Sequence, residues 1–380
     1  IRANYEIWPE GQMPLPPGAF TVARLLKTAG YATACMGKWG MGMFDTPGSP
    51  LKVGFDHFFG YNCQRHAHMY FPKYLYRDDQ RFDLDGETYA QDLIEDDVLA
   101  WIRTNKDHPF FLFYAVTLPH GKHEIDDLGQ YAAKDWTPLQ KAYAAQITRL
   151  DSDVGRLLAL LKELRIDAQT VVFFAGDNGP SFPPDFELGF FNSANGLRGR
   201  KGTMYEGGLR QAAIVHWPGV VPAGRVCDDP WAFWDFLPTA AELASVPLPQ
   251  GVQSDGRSLV SMLRGGSASS RPYFYWELHE PPRSIQAIRF GDWKAVRNGP
   301  SAQIELYDLR TDARETMDLA GARADLVSKA AALMDEARVD DPNWPLTDQI
   351  VRPTPDKRGR STARAETSPE EKPAPRAAKQ

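Results

Sequence analysis

The sequence predicts an α/β protein: a mixed, mostly parallel sheet sandwiched by helices, followed by a small antiparallel sheet with a helix. Two runs, Phe110-Phe111-Leu112-Phe113-Tyr114-Ala115-Val116 and Val171-Val172-Phe173-Phe174-Ala175, are apolar at consecutive positions, the pattern of strands covered on both faces. Between them, 139–164 keeps Tyr143, Ile147, Leu150, Val154, Leu157, Leu161 and Leu164 at three- and four-residue spacing, which is one apolar stripe along a helix. A helix feeding a buried strand is the alternation of parallel α/β folds. After Arg264-Gly265-Gly266-Ser267-Ala268-Ser269-Ser270, a linker by composition, the texture changes to short alternating segments. The expected organisation is therefore a main domain over 1–265, a subdomain over 271–345 and a disordered tail over 352–380.

In chain order, 1–20 is proline-rich and reads as irregular. Segment 21–30 is a short helix: Thr21 caps it, Val22, Leu25 and Leu26 share a face, and Gly30 stops it. A strand over 31–36 runs into the glycine-rich turn Gly37-Lys38-Trp39-Gly40-Met41-Gly42. Segment 54–76 is aromatic. Within it Cys63, His66 and His68 invite a zinc reading, but a fourth ligand is missing and the spacing matches no standard pattern. They read instead as solvent-facing or cleft histidines. A helix over 92–104 precedes the 109–116 strand, which ends at Thr117-Leu118-Pro119-His120 and so leaves His120 at a strand terminus. In the 139–164 helix, Asp151 and Asp153 fall off the stripe and read as solvated or capping groups. The strand at 171–175 breaks at Gly176-Asp177-Asn178-Gly179-Pro180, and a second apolar run at 212–217 follows. Helix 229–245 comes next, then strands 273–278, 284–289, 293–297 and 305–308, and a helix over 322–338.

Composition narrows the class. With 43% apolar and 24% charged residues over 380 positions, the body is globular, and no apolar stretch approaches membrane-spanning length. A formal charge of −6 argues against nucleic acid as a partner. Three scattered cysteines do not make a disulfide framework. From Arg352 onward there are eight basic and four acidic residues and no large apolar side chain, the composition of a disordered tail.

Asp177 and Asn178 sit where open α/β sheets place ligands, and both offer oxygen to a hard cation. The spacing that follows is long and fixed: Gly176-Asp177-Asn178-Gly179, then Leu197-Arg198-Gly199-Arg200-Lys201 and Glu206-Gly207-Gly208-Leu209-Arg210. Together these motifs resemble the formylglycine-dependent (type I) sulfatases, in particular their arylsulfatase A-like and N-acetylgalactosamine-6-sulfatase-like branch. Gly37-Lys38-Trp39-Gly40-Met41-Gly42 is similar to the family's Gly-Lys-Trp-His-x-Gly, with Gly40 where the family carries histidine.

The resemblance covers about 15–340. It implies an alkaline-phosphatase-like fold and hydrolysis of sulfate monoesters of sugars or aryl alcohols. It further implies Ca²⁺ on Asp177 and Asn178, sulfate bound by Lys38 and Lys201, His120 facing the bridging oxygen, and Glu206 paired with Arg210 to hold the loop. Such chemistry needs cations around the oxyanion and an acid at the leaving oxygen. The family's nucleophile is a formylglycine made from the cysteine of Cys-x-Pro-Ser-Arg; Cys35, Cys63 and Cys227 stand in no such context. Its first strand, with two aspartate ligands, is also not in this sequence. The expectation is an N-terminally truncated sulfatase, inactive alone, whose full-length protein is exported. A two-zinc phosphodiesterase or phosphatase of the same superfold would want Asp-His pairs at the metal, so Asn178 favours the sulfatase. A glycan-binding relic that keeps the lysines is the reading from a different class.

Overall fold

The structure is a computed structural model that describes residues 12–181, 189–280 and 282–350. The segment expected to be a disordered tail lies outside the described residues. Thr21 caps α1 (Val22–Thr28) by accepting from the Arg24 amide at 3.2 Å. β1 (Ala32–Lys38) follows and β2 (His57–Tyr61) lies parallel to it, in register from Ala34 opposite His57. β3 (Tyr74–Arg77) and β4 (Gln80–Asp83) form a hairpin on the outer side of β2. Their mixed aromatic and charged composition gives no clean alternation, so the sequence showed only an aromatic stretch there.

α2 (Ala90–Asn105) leads to β5 (Phe110–Ala115), which returns to the other side of β1 as a parallel neighbour. The five-stranded sheet thus has the order β4-β3-β2-β1-β5, with the parallel strands β2, β1 and β5 at one end and β5 at the edge. β1 alternates between two cores. Ala34 and Met36 pack with Ile94, Val98 and Ile102 of α2, while Cys35 meets Ala23 of α1 on the opposite face.

α3 (Pro138–Glu163) starts with a capping box between Thr137 and Gln140 and crosses the α2 face through Leu160 and Leu161. One of the two aspartates on this helix differs from expectation. Asp151 is exposed, but Asp153 is fully buried, held by Arg149 Nε at 2.8 Å, Arg156 at 2.8 Å and Gln91 Nε2 at 2.7 Å. Two guanidinium groups and an amide compensate the desolvated carboxylate, which is why an acidic side chain is tolerated there.

β6 (Val172–Ala175) also departs from expectation. It does not join the parallel sheet; it pairs antiparallel with β7 (Ala213–His216), with the four-residue turn of helix α4 (Glu206–Leu209) between them in sequence. β5 and β6 lie under shared covers. Phe236 touches both Phe111 and Phe173, and Leu112 and Val172 pack against the same α2–α3 core. They are nevertheless not hydrogen-bonded to each other. With one ladder partner each, neither is fully covered: Phe113 of β5 is 42% exposed and all four residues of β6 are half-buried, and Ile214 of its partner β7 is 61% exposed.

The expected 229–245 helix is shorter: a 3-10 turn over Phe233–Asp235 leads into α5 (Phe236–Leu243), preceded by an extended Ala232 whose amide donates to the Asp235 carboxylate. α6 (Val260–Leu263) precedes the linker. β8 (Phe274–Glu280), β9 (Arg283–Phe290), β10 (Trp293–Arg297) and β11 (Ile304–Asp308) form an antiparallel sheet of order β11-β10-β9-β8. Its Ile288, Ala295 and Leu306 face α7 (Ala324–Ala337), and its Ala287 and Val296 face Met204 and Tyr205. The second sheet therefore backs directly onto the 196–210 loop. Among the described residues no helix is long and apolar enough to cross a membrane.

Candidate active site

Because β1 and β5 are parallel neighbours, the residues leaving their C-terminal ends emerge at one edge. Lys38 is the last residue of β1. After β5 the chain turns through a cis Leu118–Pro119 bond, and the turn is tied by His120 N–H to Thr117 O at 2.9 Å and by Tyr70 Oη donating to His120 O at 2.8 Å. These bonds aim His120 at the same edge. Lys201 arrives from the 196–205 loop with its Nζ 3.2 Å from His120 Nε2.

That loop is fixed by backbone contacts between the two halves of the long motif. Gly179 N–H donates to Gly208 O at 2.9 Å, Lys201 N–H to Pro180 O at 3.1 Å and Gly207 N–H to Arg198 O at 2.7 Å. A Cβ at Gly179 would fall 1.9 Å from Gly207 O, so the Asp-Asn-Gly turn and the Glu-Gly-Gly helix start interlock only without side chains. Side chains then lock the outside. Arg198 stacks 3.8 Å over Tyr205 and donates to Tyr307 Oη at 2.7 Å, and Tyr205 Oη donates to Glu305 at 2.8 Å.

The site is rich in cations. Burial pushes the Lys38 ammonium below its usual pKa; nearby Asp177 opposes that shift and Lys201 adds to it. His120 is pushed down to about 3, first by burial, then by the charges of Lys201 and Lys38 and by His68. Its tautomer follows from its partners. An ammonium can only donate, so Nε2 accepts from Lys201, and the proton sits on Nδ1, facing Gly121 O at 3.4 Å. The structure thus brings Lys38, His120, Lys201 and Asp177 together at one edge.

Asn178 follows Asp177, and its Nδ2 donates to Gly179 O at 3.1 Å, leaving Oδ1 as the unclaimed oxygen. One carboxylate and one amide oxygen are the donor chemistry of a hard cation such as Ca²⁺, which takes about six to eight oxygens. Among the described residues no set of three or more His, Cys, Asp or Glu could hold a metal ion. The two donors fit part of such a shell.

The charge pair expected between Glu206 and Arg210 is not what the structure forms. Glu206 Oε1 takes Lys294 Nζ of β10 at 2.8 Å, and Lys294 also meets Glu315 Oε1 at 3.0 Å. Glu315 in turn accepts from the Glu206 amide at 2.6 Å. Lys294 and Glu315 are fully buried, whereas Arg210 is exposed. A desolvated carboxylate needs a partner in the protein, and the nearest buried cation comes from the second sheet. Sequence reasoning missed Lys294 because a lysine within an apolar strand looks like an outward-facing residue.

The three residues weighed for zinc also separate. Cys63 and His66 are buried, and His66 lies between Tyr61 and Tyr74 with neither ring nitrogen hydrogen-bonded. Burial holds its pKa down to about 4. His68, in contrast, reaches the cationic cluster, with its ring centroid 4.6 Å from that of His120.

The sulfatase family profile matches residues 2–246, and the profile of the C-terminal part of N-sulphoglucosamine sulphohydrolase matches 199–342. The chain belongs to the sulfatase family. It is 31% identical over 301 residues to N-acetylgalactosamine-6-sulfatase of Canis lupus familiaris, a match over 74% of this chain and 55% of that one. It is also 31% identical over 321 residues to arylsulfatase A of Homo sapiens, over 76% and 60% respectively. The chain spans just over half the length of these sulfatases. Among solved structures, Ps i-CgsB superposes with a TM-score of 0.76 at 23% identity, covering 92% of this chain and 80% of that one. That likeness gives the sulfatase the fold expected from sequence, a mixed sheet that includes parallel strands and a small antiparallel sheet.

Proposed function

We propose that this chain carries the anion-binding part of a sulfatase site and takes the sulfate monoester of a sugar or aryl alcohol, with Lys38, Lys201 and His120 as the residues that meet it. The observation that supports this most is the convergence of two ammonium groups and a neutral imidazole at one sheet edge, with a hydrogen bond of 3.2 Å between Lys201 and His120. Without an anion these cations repel one another; an oxyanion relieves that and claims the Lys201 protons. The incoming negative charge also offsets the lysines that depress His120, so its pKa rises and it can hold a proton toward the bridging oxygen as the alcohol leaves. A hard cation held in part by Asp177 and Asn178 would supply Lewis-acid polarisation of the sulfate oxygens. N-acetylgalactosamine-6-sulfatase and arylsulfatase A bracket the sugar and aryl alternatives by name. An exported protein acting on extracellular sulfated glycans is the setting we favour.

Catalysis by the family needs its formylglycine, and none of this chain's cysteines offers one. Cys35 and Cys63 are buried, and Cys227 lies in an Asp-Asp-Pro context. The chain is therefore expected to bind sulfate esters without turning them over. The test is calorimetric titration of the purified chain with inorganic sulfate and an aryl sulfate. Lys38→Ala and Lys201→Ala should each weaken binding by about tenfold or more, the size of one charged hydrogen bond. Binding that is unchanged in both variants would remove the proposal, and measurable turnover of the aryl sulfate would remove the expectation of inactivity.

A further inference from the structure

We infer that His68 is a second proton-holding imidazole of the anion pocket, supplied from the 62–76 segment where Gly40 supplies none. The inference rests on the proposed function of the site and extends it to a residue outside the sequence motifs.

His68 closes the short 3-10 turn His66–His68, between β2 and β3. Its ring meets that of His120 edge-on, with centroids 4.6 Å apart and planes at 68°. Its Nδ1 lies 3.0 Å from the Arg65 carbonyl, which can only accept, so Nδ1 carries the proton. Nε2 is left with a lone pair and makes no hydrogen bond among the described residues. The charged groups facing the ring come from three different elements: Lys38 at the end of β1, Lys122 after β5, and Lys201 in the 196–205 loop. Burial first, and then these three ammonium groups, hold the imidazole below its usual pKa. On the Nδ1 side His68 thus repeats His120, with the proton toward a backbone carbonyl; at His120 the Nε2 lone pair is taken by Lys201, whereas at His68 it is available.

Gly40 cannot easily provide an imidazole of its own. Its φ of +114° is a backbone conformation that residues with a side chain adopt only under strain. His66, two positions before His68, is excluded by its burial between tyrosine rings. When an oxyanion enters and offsets the three lysines, the pair of imidazoles becomes able to take up a proton. The protonated Nε2 then donates to an anion oxygen. Sulfate binding is thereby linked to proton uptake by His68 as well as by His120.

The experiment uses the whole 380-residue chain, inorganic sulfate as the probe, and the variants His68→Gln, His120→Gln and Lys201→Ala, each checked for an unchanged melting midpoint. Sulfate affinity is measured by calorimetry between pH 5 and 8, and the histidine ring protons are followed by NMR. The expected result is that sulfate moves two imidazole titrations upward in the wild-type chain. His68→Gln should remove one of them, flatten the pH dependence of affinity and weaken binding at pH 5 by at least threefold. If His68→Gln keeps the wild-type affinity and pH dependence within twofold while Lys201→Ala loses binding, His68 is a wall residue and the inference fails alone. If Lys201→Ala also binds normally, or if the wild-type chain does not bind sulfate, the proposed function fails and takes the inference with it.

Discussion

Replacing Lys294 with methionine tests the connection between the second sheet and the candidate site. Lys294 is fully buried, 2.8 Å from Glu206 and 3.0 Å from Glu315. Methionine keeps the length and loses the charge, so two desolvated carboxylates are left facing each other. Breaking a buried pair by removing one member costs about 3–5 kcal/mol. For a protein of this size, at about 2–4 °C per kcal/mol, the melting midpoint should fall by roughly 10 °C. The loss should depend on pH in a definite direction. Burial already raises the Glu315 pKa, against the pull of Lys294. Without the ammonium it rises further, so the folded variant favours protonated Glu315. Its penalty is absent below the unfolded carboxylate pKa and grows as pH climbs toward the raised folded value. The deficit relative to wild type should therefore be smaller at pH 5 than at pH 8. Calorimetric melting at both values, with hydrogen exchange over 196–209, reads stability and loop order together. A variant that melts within about 2 °C of wild type, or a deficit that ignores pH, would refute the role given to the triad.

Two further outcomes follow from the charge arrangement. His120 is held at about 3 in the folded state against an ordinary value near 6.5, so its contribution erodes stability as pH falls between those values; Lys201→Ala should raise the His120 titration seen by NMR and lessen that erosion. Asp153→Ala should cost about 1–3 kcal/mol in chemical denaturation, because Gln91, Arg149 and Arg156 lose a buried carboxylate while Arg149 keeps Asp92 and Arg156 reaches water.

Much of the site was legible because motif and strand end coincide. Lys38 closes β1 and His120 follows β5, and a parallel pair sends both to one edge. The alternation of β9, β10 and β11 also announced the second sheet. What sequence did not show depends on partners distant along the chain. Asp153 looked solvated because its partner Gln91 lies on α2, 62 residues away, and only the packing of the fold buries the carboxylate. Glu206 looked paired with Arg210 because both belong to one motif, yet the cation that reaches it comes from 88 residues away. His68 sits in an aromatic stretch with no periodicity, and its meeting with His120 is a product of the turn after β2. Position in a ladder was hidden too, since a run such as Phe110 to Val116 reads alike whether one or both neighbours are present.

The outer rims of β5 and β6 have a practical meaning for anyone handling this polypeptide. Both present backbone amides and carbonyls with no ladder partner among the described residues, beside apolar side chains that water reaches. Such seams invite any extended peptide of matching pitch, including another copy of the same chain. Concentration should therefore govern its solution behaviour, and lysine in place of Phe113 on the β5 rim is the change that should keep it dispersed.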